Sequence, residues 1–392
     1  MMKKRKIGPS GEEGTILGFG CMRLPLSGPK PDNIDIDLAT SMLRTAIDRG
    51  VNYVDTAYPY HSGTTRDDPG ASEPFVGQAL RNGYREKVLL ATKLPTWLVD
   101  SRAKMNELLD FQLKRLEVHQ LDFYLAHNLN TSVWDKLLAL GLREFMDEAV
   151  KDGRIRFPAF SFHDSYSLFE KVVNSYDWVM GQVQYNYLDK DYQAGRKGVE
   201  LAAKKGLGLV VMEPLRGGFL VNQVPEDSVK ILKEARPEWS MPAWGFNWLW
   251  NQPECAVVLS GMTTMAQVEE NIALAERFTD NLFTAKDTVA IDKVRENFIK
   301  RLQVDCTGCG YCLPCPSGVQ IPKNLAFLNQ YHLFDGEGPR ASCRYFFGVQ
   351  LSPPERANNC VSCGECLEKC PQRLDIPKFL AKTVEIYQPS KA

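Results

Sequence analysis

Two runs of cysteines near the end of the chain have a spacing that suits metal–sulfur clusters. Each run closes with Cys-Pro, and together they contain Cys306, Cys309, Cys312 and Cys315, then Cys360, Cys363, Cys366 and Cys370. Three thiolates in a Cys-x-x-Cys-x-x-Cys run surround one [4Fe–4S] cluster, and the cysteine before proline reaches across to a second cluster. The spacing therefore predicts two [4Fe–4S] clusters and the transfer of single electrons.

The order of these cysteines also predicts which of them share a cluster. Cys370 is expected to complete the cluster of the first run, and Cys315 the cluster of the second run. The second run matches the spacing of bacterial ferredoxins in full. The first run has two residues where that spacing has three before the Cys-Pro, so Cys315 departs from the pattern. Of the other cysteines, Cys21, Cys255 and Cys343, the last lies between the runs and is expected to be a packed thiol.

Zinc sites and disulfides are the alternatives for these cysteines. Zinc usually takes two separated Cys-x-x-Cys pairs, and four thiolates within ten residues would crowd one tetrahedral ion. Disulfides need an oxidising compartment, whereas no apolar segment follows Met1 to direct export. Oxygen-sensitive clusters without such a signal favour a cytoplasmic location.

The composition is that of an ordinary globular protein. The chain has 392 residues, of which 44% are hydrophobic and 24% charged, and its formal net charge is −1. A balanced charge gives no broad basic face, so we expect no nucleic-acid partner. No apolar run reaches the roughly 18 residues that span a bilayer, so we expect no membrane-spanning segment.

Residues 1–275 alternate between short apolar runs and stretches of helical periodicity, and several of the helical stretches end at a glycine, as at Gly50, Gly153 and Gly206. The runs predicted as strands are Ile16–Phe19, Val51–Val54, Val88–Thr92, Leu121–Leu125, Phe157–Phe160, Val179–Gln184, Leu207–Met212 and Ala256–Leu259. Eight strand–helix units in a row predict an α/β fold in which a parallel sheet closes into a (β/α)8 TIM barrel. A doubly wound open sheet is the weaker alternative, because no Gly-x-Gly-x-x-Gly follows any predicted strand.

Three segments follow from these patterns. We predict a barrel over residues 1–279, a connecting helix over 280–303, and a small, mostly α-helical, ferredoxin-like iron–sulfur domain over 304–392. The last segment contains few residues that could form a large core, so the clusters themselves are expected to stabilise it.

Four polar residues lie where the reactive side chains of such a barrel are found. Asp55, Lys93 and His127 close the second, third and fourth predicted strands, and Tyr60 follows in the loop after Asp55. An ammonium group lowers the pKa of a nearby tyrosine, and a carboxylate fixes the ammonium in place. Such a tyrosine can protonate a carbonyl oxygen as hydride arrives at the carbon, while a neutral histidine orients the substrate.

These residues resemble the Asp–Tyr–Lys–His tetrad of the aldo/keto reductase family. The stretches 17–25 and 211–218 are similar to a branch of that family with a C-terminal ferredoxin-like module. The resemblance implies an oxidoreductase that acts on a small carbonyl or alcohol substrate. It also implies a nicotinamide cofactor, NADP or NAD, held by residues that match family positions: Met22, Arg23, Ser161, Gln182, Met212, Ser260, Gly261 and Asn271.

The sequence departs from the family pattern in three respects. Met212 replaces the aromatic residue that usually stacks on the nicotinamide. Phe162 replaces the asparagine after Ser161, and His163 is the nearest substitute. The family positions whose lysine and arginine usually pair with the 2′-phosphate of NADP fall near Gly261 and Gln267, so this sequence lacks those cations there. NAD, NADP and a flavin therefore all stay open as cofactors.

The role of the clusters also stays open at this stage. Hydride transfer moves two electrons at once, whereas each cluster moves one. The clusters could be structural or regulatory, or a flavin or substrate radical could split the electron pair and join them to the barrel chemistry. Alternatively, the chain could be a flavin- or ferredoxin-linked electron-transfer protein whose barrel only binds or docks. We expect electron exchange with a ferredoxin-type partner. The tetrad favours an active reductase. The segment His61–Ala71 after Tyr60 is either a solvated loop or a rim that selects substrate.

Overall fold

The computed structural model of the chain describes residues 2–63, 67–306, 308, 310–334, 336–370 and 372–388. The chain forms two compact units. The first contains Met1–Gly217 and Ser240–Phe283, and the second contains Gly218–Trp239 and Thr284–Ala392. The boundaries expected at 279/280 and 303/304 stay predictions.

The first unit contains all the strands that the described chain shows. They are β1 (Lys4–Lys6), β2 (Glu13–Thr15), β3 (Leu17–Gly20), β4 (Tyr53–Asp55), β5 (Leu89–Leu94), β6 (Leu121–Leu129), β7 (Ile155–Phe162), β8 (Met180–Gln184), β9 (Gly208–Met212) and β10 (Val257–Gly261). Strands β3 to β10 pair in parallel and close as β10-β3-β4-β5-β6-β7-β8-β9. The predicted eight-stranded barrel is therefore confirmed.

The helices follow the strands in alternation through the barrel and continue alone in the second unit. They are α1 (Ile36–Asp48), α2 (Ser72–Ala79), α3 (Arg102–Arg115), α4 (Thr131–Ala139), α5 (Leu142–Lys151), α6 (Tyr166–Val173), α7 (Gly195–Lys204), α8 (Phe219–Asn222), α9 (Glu226–Ala235), α10 (Met241–Trp250), α11 (Met265–Arg277), α12 (Ala285–Ile299), α13 (Ile321–Leu333), α14 (Glu337–Gln350), α15 (Glu365–Lys369) and α16 (Ile376–Tyr387). No described helix is both long enough and apolar enough to cross a membrane.

Local sequence explains where several of these helices begin and end. The side chains of Asp35 and Ser101 accept hydrogen bonds from the first turns of α1 and α3, as N-cap residues do. After α7 the chain turns back at Gly206, whose φ of 67° lies in the left-handed region. The apolar faces of the strands meet inside the barrel, where Tyr53, Phe123 and neighbouring aliphatic residues form one buried core.

In the second unit, the segment Gly218–Trp239 packs on the helix that follows the barrel. Arg236, at the end of α9, donates to both carboxylate oxygens of Asp287 on α12 at 2.8 and 2.9 Å. Burial raises the pKa of Asp287, but hydrogen bonds from Arg236 and Thr284 lower it more and hold it at about 2. The segment Gly218–Trp239, which follows β9 in the chain, therefore packs within the second unit, the unit that contains both cysteine runs.

Candidate active site and cluster cavities

Asp55, Tyr60 and Lys93 lie together at the carboxyl ends of adjacent barrel strands. The Lys93 ammonium contacts both Asp55 oxygens at 2.7 and 2.8 Å and also donates to the carbonyl of Thr56 at 2.8 Å. Its fourth neighbour is the Tyr60 hydroxyl at 3.3 Å. Asp55 and Lys93 are only 2% and 1% exposed, so water is largely excluded from the ion pair. Its charge therefore acts strongly on the tyrosine.

Burial and the neighbouring charges compete in setting the pKa values of Tyr60 and Lys93. Burial raises the pKa of Tyr60, and the nearby Lys93 ammonium opposes the shift without reversing it. Burial lowers the pKa of Lys93, but Asp55 and then Tyr60 raise it more, so the amine stays charged. The expectation of a lowered tyrosine pKa is thus wrong for the net value. Tyr60 is a protonated phenol at neutral pH, the state that a proton donor needs.

His127 lies beside Tyr60 at the end of β6. The two rings are 6.3 Å apart between centroids and nearly perpendicular, and the Trp97 ring lies 5.2 Å from the His127 ring on the other side. Thr96 donates its hydroxyl to the His127 carbonyl at 2.7 Å and so fixes that end of the strand. The tetrad positions are therefore brought together, and Trp97 adds an aromatic wall that the sequence patterns did not indicate.

A buried carboxylate behind Lys93 was also missed by the sequence patterns. Glu73 is fully buried and accepts hydrogen bonds from Thr92 at 2.8 Å, Gln112 at 2.6 Å and Arg115 at 3.1 Å. Gln112 also donates to the backbone carbonyl of Lys93 at 3.0 Å. This network fixes the strand that carries the lysine. The signal available in the sequence was a glutamate in the first turn of α2, the helix that follows the Tyr60 loop.

Several residues proposed to hold a nicotinamide line one side of the barrel mouth. Ser161 and Gln182 are directly opposite each other on β7 and β8, and each is 1% exposed. The Asn128 backbone N–H donates to Ser161 Oγ at 2.8 Å. Gln182 Nε2 approaches Met212 Sδ at 3.7 Å, while the buried Gln182 Oε1 has no hydrogen-bond partner among the described residues. A buried amide oxygen without a donor fits the carboxamide of a nicotinamide.

Arg23 extends along a cradle made by two glycines. A Cβ on Gly261 would lie 3.2 Å from three Arg23 side-chain carbons, and a Cβ on Gly217 would lie 2.8 Å from an Arg23 guanidinium nitrogen. Gly261, the last residue of β10, and Gly217, in the turn after β9, thus both leave room for this cation. Met22 beside it is 52% exposed. The arrangement suits a cation that faces an anionic group.

At the expected adenosine end of the site, polar side chains are already hydrogen-bonded within the protein. Asn271 Nδ2 donates to Ser260 Oγ at 3.1 Å, and both side chains are buried. Gln267 accepts from the Thr263 backbone N–H at 2.7 Å. Burial lowers the pKa of His163 to about 4; a hydrogen bond with Gln193 opposes this shift and the Lys93 ammonium adds to it, so the imidazole is neutral.

Two cavities in the second unit collect the cysteines of both runs. One cavity is lined by Cys360, Cys363 and Cys366 together with Cys312 and Cys315 from the first run. Burial and the neighbouring thiols of Cys360, Cys363 and Cys315 raise the pKa of Cys366. Thiol donors from both runs around one cavity fit the ligand set of a [4Fe–4S] cluster.

The other cavity is lined by Cys306 and, again, Cys312, together with Cys370 from the second run. Cys309 lies outside the described residues. Among those that are described, no group of three or more histidine, cysteine or acidic residues is placed to hold a single metal ion. An Ile-Pro-Lys helix start follows each Cys-Pro, at Ile321 and Ile376, and both isoleucines line this second cavity.

Comparisons with known proteins agree with both halves of this description. A family model described as the aldo/keto reductase family matches residues 16–296, and one described as a 4Fe-4S dicluster domain matches residues 305–374. An uncharacterized oxidoreductase, YqkF of Bacillus subtilis, is 28% identical over 309 residues, which cover 71% of this chain and 94% of that protein.

Two further relatives carry reductase names. Probable aldo-keto reductase 1 of Glycine max is 26% identical over 310 residues, which cover 70% of this chain and 85% of the relative. The solved holo form of aldo-keto reductase AKR11C1 from Bacillus halodurans is 26% identical, with a TM-score of 0.62, and the match covers 75% of this chain and 96% of that one. All three matches span nearly the whole relative and leave part of this chain uncovered.

Proposed function

Because this chain belongs to the aldo/keto reductase family and carries a C-terminal 4Fe-4S dicluster domain, we propose that it interconverts a small carbonyl compound and its alcohol with a nicotinamide cofactor. Tyr60 is the proposed proton donor. The observation that carries this proposal is the buried Lys93 ammonium, held by Asp55 and placed 3.3 Å from the Tyr60 hydroxyl.

Reduction requires that a proton reach the carbonyl oxygen as hydride reaches the carbon. A bound reduced nicotinamide supplies the hydride. As the carbonyl π electrons move onto oxygen, the Tyr60 O–H bond breaks and its proton forms the alcohol. Lys93 stabilises the phenolate left behind, because the two groups face each other in a water-poor site. Solvent then returns the proton to Tyr60.

The surrounding residues have positioning roles in this proposal. His127 and Trp97 orient the carbonyl group beside Tyr60. Gln182 Oε1 accepts from the cofactor carboxamide, and Arg23 faces its pyrophosphate. NAD and NADP are both compatible with a site whose described residues place Gly261 and Gln267, rather than cations, near the expected 2′-phosphate.

The direct test is anaerobic reduction of a panel of aliphatic and aromatic aldehydes with NADH or NADPH. The proposal predicts nucleotide oxidation that depends on the aldehyde, at a ratio of one nucleotide oxidised to each alcohol formed. Absence of turnover with every aldehyde and both nucleotides, in protein whose clusters are intact, would refute it.

The dicluster domain is proposed to hold two [4Fe–4S] clusters that exchange single electrons with a ferredoxin-type partner. Together two clusters take up two electrons, the number that one reduced nicotinamide supplies. Such clusters are sensitive to oxygen, which supports a reducing, cytoplasmic location. The grouping of Cys370 with Cys306, and of Cys315 with Cys360, supports the crossed ligand pattern.

Replacing Cys370 by alanine tests that pattern. We expect loss of the cluster of Cys306, Cys309 and Cys312, because their fourth thiolate is removed, and retention of the other cluster. Iron content should fall by half, and electron paramagnetic resonance of the reduced protein should lose one of two interacting signals. Cys343→Ser is the matched control, since Cys343 lines neither cavity. Loss of the cluster of Cys360, Cys363 and Cys366 instead would show that the ligands are not crossed.

A further inference from the structure

His61 connects the loop that contains Tyr60, the proposed proton donor, to the loop that contains Arg23, the cation proposed to face the cofactor. It directly follows Tyr60 and has a φ of 60°, in the left-handed region that side chains other than glycine seldom adopt. Its two ring nitrogens contact backbone groups of the loop after β3, which contains Arg23.

The two hydrogen bonds define one state of the ring. The Leu24 backbone N–H donates to His61 Nε2 at 3.1 Å, so this nitrogen carries no proton. The Pro31 carbonyl lies 2.8 Å from Nδ1, so this nitrogen donates its proton there. Only the neutral imidazole protonated at Nδ1 satisfies both partners. Leu24 is 2% exposed, and its N–H has little access to water as a substitute acceptor.

The backbone on either side of His61 is held as well. The Ala71 N–H donates to the His61 carbonyl at 3.0 Å, and the Ser72 N–H donates to the Tyr60 carbonyl at 3.1 Å. A Cβ on Gly70 would overlap that Tyr60 carbonyl, so the returning chain passes very close to it. The loop after β3 is therefore tied to a Tyr60 segment that is itself held on its other side.

We propose that His61 is a positioning residue whose neutral ring ties the Arg23 loop to the Tyr60 backbone, so that one side chain sets both cofactor binding and proton donation. This inference rests on the proposed function. Protonation of Nε2 would place a second N–H against the Leu24 N–H and break the tie. Burial lowers the pKa of His61, and the bond to Pro31 opposes this without reversing it. The tie is therefore complete at neutral pH and is lost as pH falls through this lowered pKa.

Charged groups near the ring do not change that direction. None of the described charged side chains on the two loops is among the causes of the shift: Arg23, Lys30, Asp32 and Asp35 on one loop, Asp67 and Asp68 on the other. The acid limb expected in the pH dependence of kcat/KM for the nicotinamide therefore belongs to the imidazole itself.

Two variants separate the tie from the rest of the fold. His61→Asn keeps a residue that tolerates positive φ but is too short to reach both partners. We expect it to lower kcat/KM for the nicotinamide about tenfold or more, because two hydrogen bonds are lost. His61→Gln can donate and accept but cannot titrate, so it should restore part of the loss and remove the acid limb. His119→Gln, at an exposed histidine, is the matched control and should change neither.

A measurement that does not need turnover completes the test. Nitrogen NMR of histidine-labelled protein should show His61 protonated at Nδ1 and titrating below an ordinary histidine. A ring protonated at Nε2, or a His61→Asn variant with unchanged nicotinamide dissociation constant and kinetics, would overturn the inference. A wild-type protein without aldehyde reduction would instead refute the proposed function, while the NMR result and the dissociation constants would still decide the tie.

Discussion

Replacing Tyr60 by phenylalanine is expected to lower kcat for aldehyde reduction by about 10²- to 10⁴-fold, the usual contribution of a positioned acid. The ring that Lys93 contacts, 4.8 Å from its ammonium to the centroid, is retained. Only the hydroxyl 3.3 Å from Lys93 Nζ is removed. The nicotinamide dissociation constant should stay nearly unchanged, because the phenol is not part of the proposed cofactor site.

Tyr58→Phe is the matched control for this change. Tyr58 lies in the same loop, but the contact that its hydroxyl makes within the described part of that loop is to the Asp67 carbonyl, at 3.4 Å. Steady-state kinetics of both variants with NADH or NADPH measures the difference. If Tyr60→Phe keeps most of the wild-type kcat, another group donates the proton and the assignment of Tyr60 is wrong.

The Asp55–Lys93 pair predicts a second large effect, in which stability and activity separate. Asp55→Leu leaves the Lys93 ammonium buried and uncompensated, which should destabilise the barrel by about 3–5 kcal/mol. Adding Lys93→Met removes the uncompensated charge and should recover most of that loss, since apolar replacement of a buried pair is often neutral. Activity should stay absent in the double variant, because no ammonium faces Tyr60.

Urea unfolding followed by tryptophan fluorescence measures the stability differences. The exposed pair of Lys87 and Asp48, 2.9 Å apart with both side chains half exposed, gives the control. Lys87→Met should leave the free energy of unfolding nearly unchanged, because an exposed ion pair contributes little to stability. A double variant as unstable as Asp55→Leu alone, or one that still reduces aldehydes, would contradict the role given to the pair.

The barrel could be predicted from the sequence because its strands are short apolar runs that local pattern identifies. All eight predicted strands overlap those of the structure, and Asp55, Lys93 and His127 lie at or near their carboxyl ends as expected. The β1–β2 hairpin was missed, because its first strand, Lys4–Lys6, is entirely basic and has no apolar alternation. Helix α4 was missed because it lies in a connection that the strand–helix pattern does not require.

Features that depend on distant contacts could not be predicted in the same way. The assignment of Gly218–Trp239 to the second unit depends on Arg236 meeting Asp287, 51 residues later. The sequence predicts that lysine lowers the tyrosine pKa, but the larger opposite effect of burial follows only from packing. His61 lies in a segment, His61–Ala71, that the pattern describes as a solvated loop or a substrate-selecting rim, and its two contacts with the loop after β3 follow only from the folded structure. The cysteine spacing predicts which thiols share a cluster, and that grouping stays a prediction: the cavities place Cys370 beside Cys306 and Cys315 beside Cys360, while Cys312 lines both.

An anaerobic titration of the purified protein with NADH and NADPH separately, followed by absorbance and electron paramagnetic resonance, tests most directly whether the barrel and the clusters form one redox enzyme. The initial spectrum would also reveal any bound flavin. The predicted result is that one nucleotide bleaches the cluster absorbance and produces the reduced-cluster signal, with one electron to each cluster. The contradictory result is that neither nucleotide reduces the clusters although an aldehyde is still turned over, which would separate the clusters from catalysis.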